Sequence, residues 1–280
     1  MTLRAAPYAG GMAATGGRPR PPVAVALKAW RERRRLSQLA LATRADVSQR
    51  HLAAIEAGKA RPSADMLLHL ARHLDVPLRQ RNDLLLAAGY APRYSAVAWD
   101  DDDFAPVREA VGAVLRAHEP APAIVVDHRW DLLAGNRAAR LLTAGVAPEL
   151  LVPPVNVLRA CLHPDGLARR VRNLGEWADH VLANLGKQLA LAPSAPLEAL
   201  RDELLGHLAA LGVTPATGPG PPRLAVPFHL ATEAGDLRLL ATVATFGTAL
   251  DATLAELTIE AFLPADDATR EALARLSPPR

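Results

Sequence analysis

The 280-residue chain has a single cysteine, Cys161, which excludes an internal disulfide and fits a reducing compartment. Half the residues are apolar, yet no uninterrupted apolar run approaches the ~18 residues that cross a bilayer. The opening stretch MTLRAAPYAGGMAATGGRPRPPV lacks the continuous apolar core of a signal peptide, so residues 1–22 are expected to be a flexible tail. No membrane partner is expected, and the chain reads as cytoplasmic. Nor is there an internal repeat. The stretch ATGPGPP is broken by proline and opens no helix, so no phosphate-cradling loop is present. Of nine histidines only His69 and His73 have helical i, i+4 spacing, and no third ligand accompanies them. No metal and no cofactor are expected.

The net charge of +3 is unevenly distributed. Residues 1–22 carry three Arg and no acid, residues 23–94 carry thirteen Lys/Arg against six Asp/Glu, and residues 95–280 carry sixteen against twenty-three. A basic N-terminal third beside an acidic remainder implies that one part alone meets a polyanion. Nucleic acid is the leading candidate.

From Val23 to Ala91 the pattern is of short helices with tight breaks, beginning with Val25–Arg35. Ser37 is placed to cap a second helix, Gln38–Ala45. Ser48 is placed to cap a third, which ends at Gly58. Pro62-Ser63 starts a fourth with Met66, Leu67, Leu70 and Leu74 on one face, and a fifth follows Pro77 and ends at Gly89. This is a five-helix bundle. Residues 95–104, with four successive aspartates, read as a linker, and Asp100–Phe104 is expected to couple the two parts. After a helix at Pro106–Ala117, PAIVVDHRWDLLAGN reads as a hairpin. Helices follow at Asn136–Leu142, Val155–Leu162, Gly175–Leu191 and Leu197–Leu211, then strands at Leu224–Leu230, Asp236–Phe246 and Leu254–Leu263, with EAGD as a turn. Residues 105–268 thus form an α+β domain with an antiparallel sheet, and residues 269–280 are left as a tail.

Helices two and three have helix-turn-helix spacing. Leu41, Ala42, Ala45, Val47, Leu52 and Ile55 form one apolar seam, which turns Ser48, Gln49 and Arg50 outward. Gln pairs bidentately with adenine and Arg with guanine in the major groove. The N-cap Ser48 and the free amides beside it suit a phosphate. Lys59 and Arg61, in the following loop, are placed to neutralise phosphates. Ala54, a later base-facing position, can touch only a thymine methyl.

The stretch LSQLALATRADVSQRHLAAIEAGKARPS resembles the DNA-binding domain of the Xre/Cro/phage-repressor family, over about residues 25–90. The resemblance implies an all-α, five-helix lambda-repressor-like fold in residues 23–94. It implies that Gln38 touches a backbone phosphate, that Gln49 and Arg50 read bases, and that Arg31 and Glu56 form a partly buried ion pair. Asp46 stands where the family's turn usually has Gly; Asp tolerates the left-handed backbone better than most residues. One such helix reads only a half-site, so a homodimer on a two-fold double-stranded operator is expected, which would make the protein nucleoid-associated.

The remainder has few candidate catalysts. Cys161 and His163 offer a nucleophile and a base, but residues two apart on a helix point in different directions, and no orienting carboxylate is evident. Structural roles and no enzyme activity are expected. The strand around residue 240 alternates Leu237, Leu239, Ala241 and Val243 with Arg238, Leu240, Thr242 and Ala244. Small residues such as Ala241, Ala244 and Ala261 fit either a ligand cavity or close helix packing.

Three segments in order, APAIVVDHRWDLLAGNRAARLL, NVLRACLHPDGLARRVRNL and LRLLATVATFGTALDATLAELTIEAFLPAD, resemble the ligand-binding domain of MmyB-like transcription regulators. The resemblance implies a PAS-like fold and a small hydrophobic ligand, with fatty acids the leading suggestion. It offers Val126, Leu132, Asn136, Leu158 and Phe246 as ligand-binding residues. Where the family often has an aromatic after the Asn of RNL, this chain has Leu174 and places Trp177 later. Together the two resemblances imply a one-component bacterial transcription regulator whose DNA affinity responds to a small apolar effector. The alternative is a DNA-binding regulator whose C-terminal domain is a constitutive dimerisation or protein-interaction module without ligand.

Overall fold

Serine starts three of the first helices. Ser37 Oγ accepts from Ala40 N at 3.0 Å, Ser48 Oγ from His51 N at 3.1 Å and Ser63 Oγ from Met66 N at 3.2 Å, so each hydroxyl satisfies an amide that the helix cannot. In the computed structural model, which describes residues 21–215, 226–247 and 249–276, the helices are α1 Pro22–Arg33, α2 Gln38–Arg44, α3 Gln49–Glu56, α4 Ala64–His73 and α5 Leu78–Ala87. The first helix starts three residues earlier than its apolar pattern implies, because Pro22 at its first position has no amide to satisfy. It also ends earlier: Arg35 takes φ 53°, outside the helical region. Residues 1–20 of the expected tail lie outside the described residues.

The chain divides into two units. The first is built on residues up to Asp75 and on Asp83–Ala91, the second on Val76–Asn82 and the chain from Pro92 onward. In the first, Leu27, Leu41, Leu52, Ile55, Leu67, Leu70 and Leu74 are fully buried.

The second unit continues with α6 Ala105–Ala117, β1 Ala123–Val126, β2 Leu132–Gly135, α7 Val157–Leu162, α8 Leu174–Leu191, α9 Ala195–Ala210, β3 Pro227–Thr232, β4 Gly235–Thr245, α10 Ala252–Glu256, β5 Thr258–Pro264 and α11 Asp267–Leu276, with short 3₁₀ turns between. All five strands pair antiparallel in the order β2-β1-β5-β4-β3. The last strand in sequence therefore lies at the centre of the sheet. One face of the sheet (Ile124, Phe228, Leu239, Phe262) packs toward α7, α8 and α9; the other (Ala123, Val125, Ile259, Ala261) packs against Val111 and Leu115 of α6 and against Phe104. Arg159 Nε and Nη2 donate to the Glu203 carboxylate at 2.6 and 2.8 Å, tying α7 to α9.

The expected helix at Asn136–Leu142 is a 3₁₀ turn, and further boundaries in the second unit differ from expectation for tertiary reasons. Residues 95–104 are more than a solvated linker: Asp100–Asp103 are exposed as expected, but Val97, Trp99 and Phe104 pack with α6, Phe104 is buried, and Arg108 donates to the carbonyls of Trp99 and Asp101. Residues 269–276 are not tail, since α11 buries Thr269, Ala272 and Leu273. Leu254 belongs to α10 rather than a strand, because Asp251 caps that helix, its Oδ1 accepting from Leu254 N at 2.9 Å. Residues 224–225 of the expected third-last strand, and 277–280 of the tail, lie outside the described residues.

Asn136, after β2, holds the corner of the sheet. Its Oδ1 accepts from Ala123 N at 3.1 Å and Ala139 N at 3.0 Å, and its Nδ2 donates to the carbonyls of Ala121 at 2.8 Å and Leu115 at 3.2 Å. One amide thus joins β1, the end of α6 and the turn after β2. Asn136→Ala is expected to lower the urea-unfolding free energy by about 2–4 kcal/mol, because paired backbone groups lose their partner. Asn136→Asp should be no more stable at neutral pH, since it aims a carboxylate at two carbonyls. Full stability in either variant would contradict this assignment.

Candidate functional sites

In the first unit the seam between α2 and α3 forms because Leu41, Ala42, Ala45, Leu52 and Ile55 are all buried, with Ala42 small enough to let the helices cross closely. Asp46 takes φ 50° in the turn, and Val47 N donates to Ala42 O at 2.9 Å. At the far end of α3, Gly58 N donates to Ile55 O at 2.9 Å and Lys59 N to Ala54 O at 2.8 Å, the two bonds of a Schellman terminator. Gly58 has φ +73°, and a Cβ there would meet Pro21 Cδ at 2.5 Å, so this position requires glycine.

Burying the seam leaves Ser48, Gln49 and Arg50 exposed together at the start of α3, with Lys59 exposed beyond its end and Ala54 half-buried. Two other residues are engaged within the protein. Gln38 Nε2 donates to Glu56 Oε2 at 2.8 Å, so its amide serves the ion pair in the free protein. Arg61 donates to Ala88 O at 3.0 Å and stacks over the Tyr90 ring at 5.3 Å, although it stays exposed. His69 contacts Ala45 O through Nε2 at 2.6 Å, a packing role on the helix next to His73.

Arg31 and Glu56 meet in two parallel bonds, Nε to Oε1 at 2.7 Å and Nη2 to Oε2 at 2.8 Å, both side chains being buried. Burial pushes the Glu56 carboxyl up, but the hydrogen bonds from Arg31 and Gln38 outweigh it and hold the carboxyl below its ordinary value. Arg31 is correspondingly held above its own, chiefly by the bond to Glu56.

The second unit encloses a cavity of about 310 Å³ between the sheet face and α7 and α8, at the lower end of the ~300–1,000 Å³ typical of ligand pockets. Its sheet side includes Ile124, Leu132, Ala241 and Phe262; its helix side includes Leu158, Cys161, Trp177 and Val181. Phe228 bridges the two, its ring 4.7 Å from Trp177 and 5.7 Å from Phe262. Trp130 reaches the cavity from the hairpin turn, where it holds φ 68°, unusual for so bulky a residue, and its Nε1 donates to Gln188 Oε1 at 2.8 Å. Val243 also lines the cavity and is 59% exposed, so the space meets solvent along the second half of β4.

Of the five residues offered for ligand binding, Leu132 and Leu158 line this cavity. Asn136 does not, its amide being spent on the corner described above. Phe246 packs on the opposite side, with the α6 face of the sheet. Val126 is buried in the core next to the cavity without lining it. Trp177, singled out in the sequence as displaced from the family's aromatic position, lines the space; sequence reasoning missed Trp130, His180 and Glu260, which line it too. The available signal for Glu260 was a lone acid inside the apolar strand TIEAFL.

The nucleophile–base pair is not assembled. Cys161 Sγ accepts from Trp177 Nε1 at 3.3 Å, and burial pushes the thiol up to about 12, so it stays protonated. His163 Nδ1 accepts from Asp165 N at 3.0 Å, and its ring lies 4.5 Å from that of His207. Among the described residues no group of three or more His, Cys, Asp or Glu is arranged to hold a metal, and no helix is long and apolar enough to cross a membrane.

A helix-turn-helix unit with an exposed N-terminus on its third helix, followed by an α+β unit around an antiparallel sheet with an apolar cavity, defines a DNA-binding transcription regulator with a ligand-binding domain. Residues 107–276 match the family model of the MmyB-like transcription regulator ligand binding domain, and residues 27–80 match that of the helix-turn-helix family. The first match covers more than half of the chain, which belongs to the MmyB-like transcription regulators. A search of curated proteins returned no match.

The Glu56 carboxyl has a folded value below its unfolded one, so its contribution is present above about pH 4.5 and is lost as pH falls through the folded value. Melting of the wild type should therefore drop on acidification below about pH 4.5, while Glu56→Gln, less stable at neutral pH, should show a flatter profile. Glu56→Ala should cost about 3–5 kcal/mol because it strands Arg31. Parallel pH profiles for wild type and Glu56→Gln would overturn the assignment.

Proposed function

We propose that the first unit reads a double-stranded operator through the major groove, with Gln49 and Arg50 contacting base edges and Ser48, Lys59 and Arg61 contacting phosphates. The observation that carries this reading is that α3 buries Leu52 and Ile55 against Leu41, Ala42 and Ala45, with Val47 half-buried in the turn, while Ser48–Arg50 at its start stay exposed. Gln38 joins the phosphate contacts by turning from Glu56, and Ala54 contributes at most an apolar contact. A single recognition helix covers a half-site, so the protein acts as a homodimer on a two-fold operator.

The cavity of the second unit takes a small effector with an apolar body, a class of which fatty acids are one member. Its support is the volume and the aliphatic and aromatic lining already described. For the effector to regulate, it must bind the DNA-competent and DNA-incompetent states with different affinity; equal affinity shifts nothing. The half-buried, protonated Cys161 gives no support to catalysis in this cavity.

With about four to six phosphate contacts per protomer, log affinity for a duplex should fall against log salt with a slope of roughly −4 to −5 per protomer. Arg50→Ala should weaken binding to the selected operator by about 1–3 kcal/mol and relax preference at one base, whereas Lys59→Ala should weaken all duplexes alike and reduce the slope by about one. A flat salt dependence, or an Arg50→Ala variant that binds its operator like the wild type, would remove the DNA reading.

A further inference from the structure

Glu260 sits in the lining of the apolar cavity, on the central strand β5. Its cross-strand neighbours are Ile124 on β1 and Val243 on β4, both of which line the same space. Among the described residues its carboxyl has no hydrogen-bond or ion-pair partner, while Glu56 and Glu203, the other half-buried or buried acids discussed above, each hold an arginine in two bonds. Glu260 is half-buried, next to the exposed Val243, and a carboxyl that loses part of its hydration among aliphatic side chains costs free energy unless something pairs with it. Packing alone would be served better there by Gln, Leu or Met. Burial raises this carboxyl to about 7, so near neutral pH it is poised to ionise as soon as a countercharge enters.

The other charged or titratable groups that line the cavity do not supply that countercharge. Cys161 on α7 stays a neutral thiol. His180 on α8 is held below its ordinary value, by burial first and then by Lys187, so it is neutral. Arg140 lines the space but is exposed, and its Nη2 donates to Leu276 O at 3.3 Å.

We infer that the cavity selects apolar molecules that carry a protonated amine, with Glu260 as the residue that pairs with the ammonium group. A free fatty acid fits the apolar volume equally well, but its carboxylate would meet a second carboxylate at this position and gain only from Arg140 at the exposed side. The inference rests on the cavity being the effector site and adds the chemistry of the head group.

The test uses the full-length protein and three probes of equal chain length, decylamine, decanol and decanoic acid, kept below micelle-forming concentrations. Binding is followed by titration calorimetry and by the fluorescence of the cavity-lining Trp130 and Trp177. At about pH 8 decylamine should bind at least about tenfold more tightly than decanoic acid. Its affinity should fall as pH drops through about 7 toward 6, since Glu260 takes up a proton while an alkylamine, like lysine, stays charged. Glu260→Gln should remove the amine preference and its pH dependence while binding decanol within about twofold of wild type, which also shows that the variant is folded with its cavity intact. Tighter binding of decanoic acid than of decylamine at pH 8, or an amine affinity unchanged in Glu260→Gln, would overturn the head-group inference and leave the cavity reading standing. Failure of all three probes to bind would overturn the cavity reading itself.

Discussion

Strand β5 has a neighbour on each side, and the rest of the second unit follows from how its two faces are used. Ile259 and Ala261 point into a filled layer with Val111 and Leu115 of α6. Glu260 and Phe262 point the other way, into the space between the sheet and α7 and α8. A slip of one residue in the pairing with β1 and β4 would exchange these sets and drive a carboxylate into the filled layer. The register is thus specified by a polar carboxyl as well as by apolar side chains, and Asn136 secures one corner of it through four bonds. The asymmetry between a face packed throughout and one whose packing leaves a cavity is what gives the sheet a binding site.

The first unit works by a similar logic of exclusion. The residues buried at the α2–α3 seam decide which residues are left to face a duplex. The doubly bonded pair of Arg31 and Glu56 ties α1 to α3 across the same core, and Gln38 completes it from α2. The three helices that position Gln49 and Arg50 therefore share one buried polar node. A change at that node alters the placement of the recognition helix without touching its exposed surface.

Much of the first unit was legible in the sequence because its signals are local. Serine caps, the glycine terminator at Gly58 and an apolar seam at helical spacing act within a few residues of one another. The α+β character and the alternation of Leu237, Leu239, Ala241 and Val243 were also readable, since a strand's period is local too. What escaped were side chains whose role depends on distant partners. Asn136, offered as a ligand-binding residue, instead caps the turn after β2 and bonds the carbonyls of Leu115 and Ala121, which no local pattern shows. Phe246 follows the strand as an aromatic with either face open to it, and packing placed it with the α6 layer. Glu260 has the pattern of a residue on a solvated face; only the pairing of β5 between β1 and β4 makes that face the floor of a cavity. The aspartates before α6 are solvated as their charge implies, but the burial of Phe104 beside them and the bonds from Arg108 lie outside a charge count.

The central claim is that the packing of one sheet face leaves a cavity while the other face is packed throughout, and Ala241 tests it most directly because it lines that cavity with a small apolar side chain. The measurement is the urea-unfolding free energy of Ala241→Phe in the protein free of added ligand. If the space is open, the larger ring is accommodated and stability is unchanged or higher. A loss of about 1–3 kcal/mol, the usual cost of overpacking, would show that the face is already filled and would contradict the account.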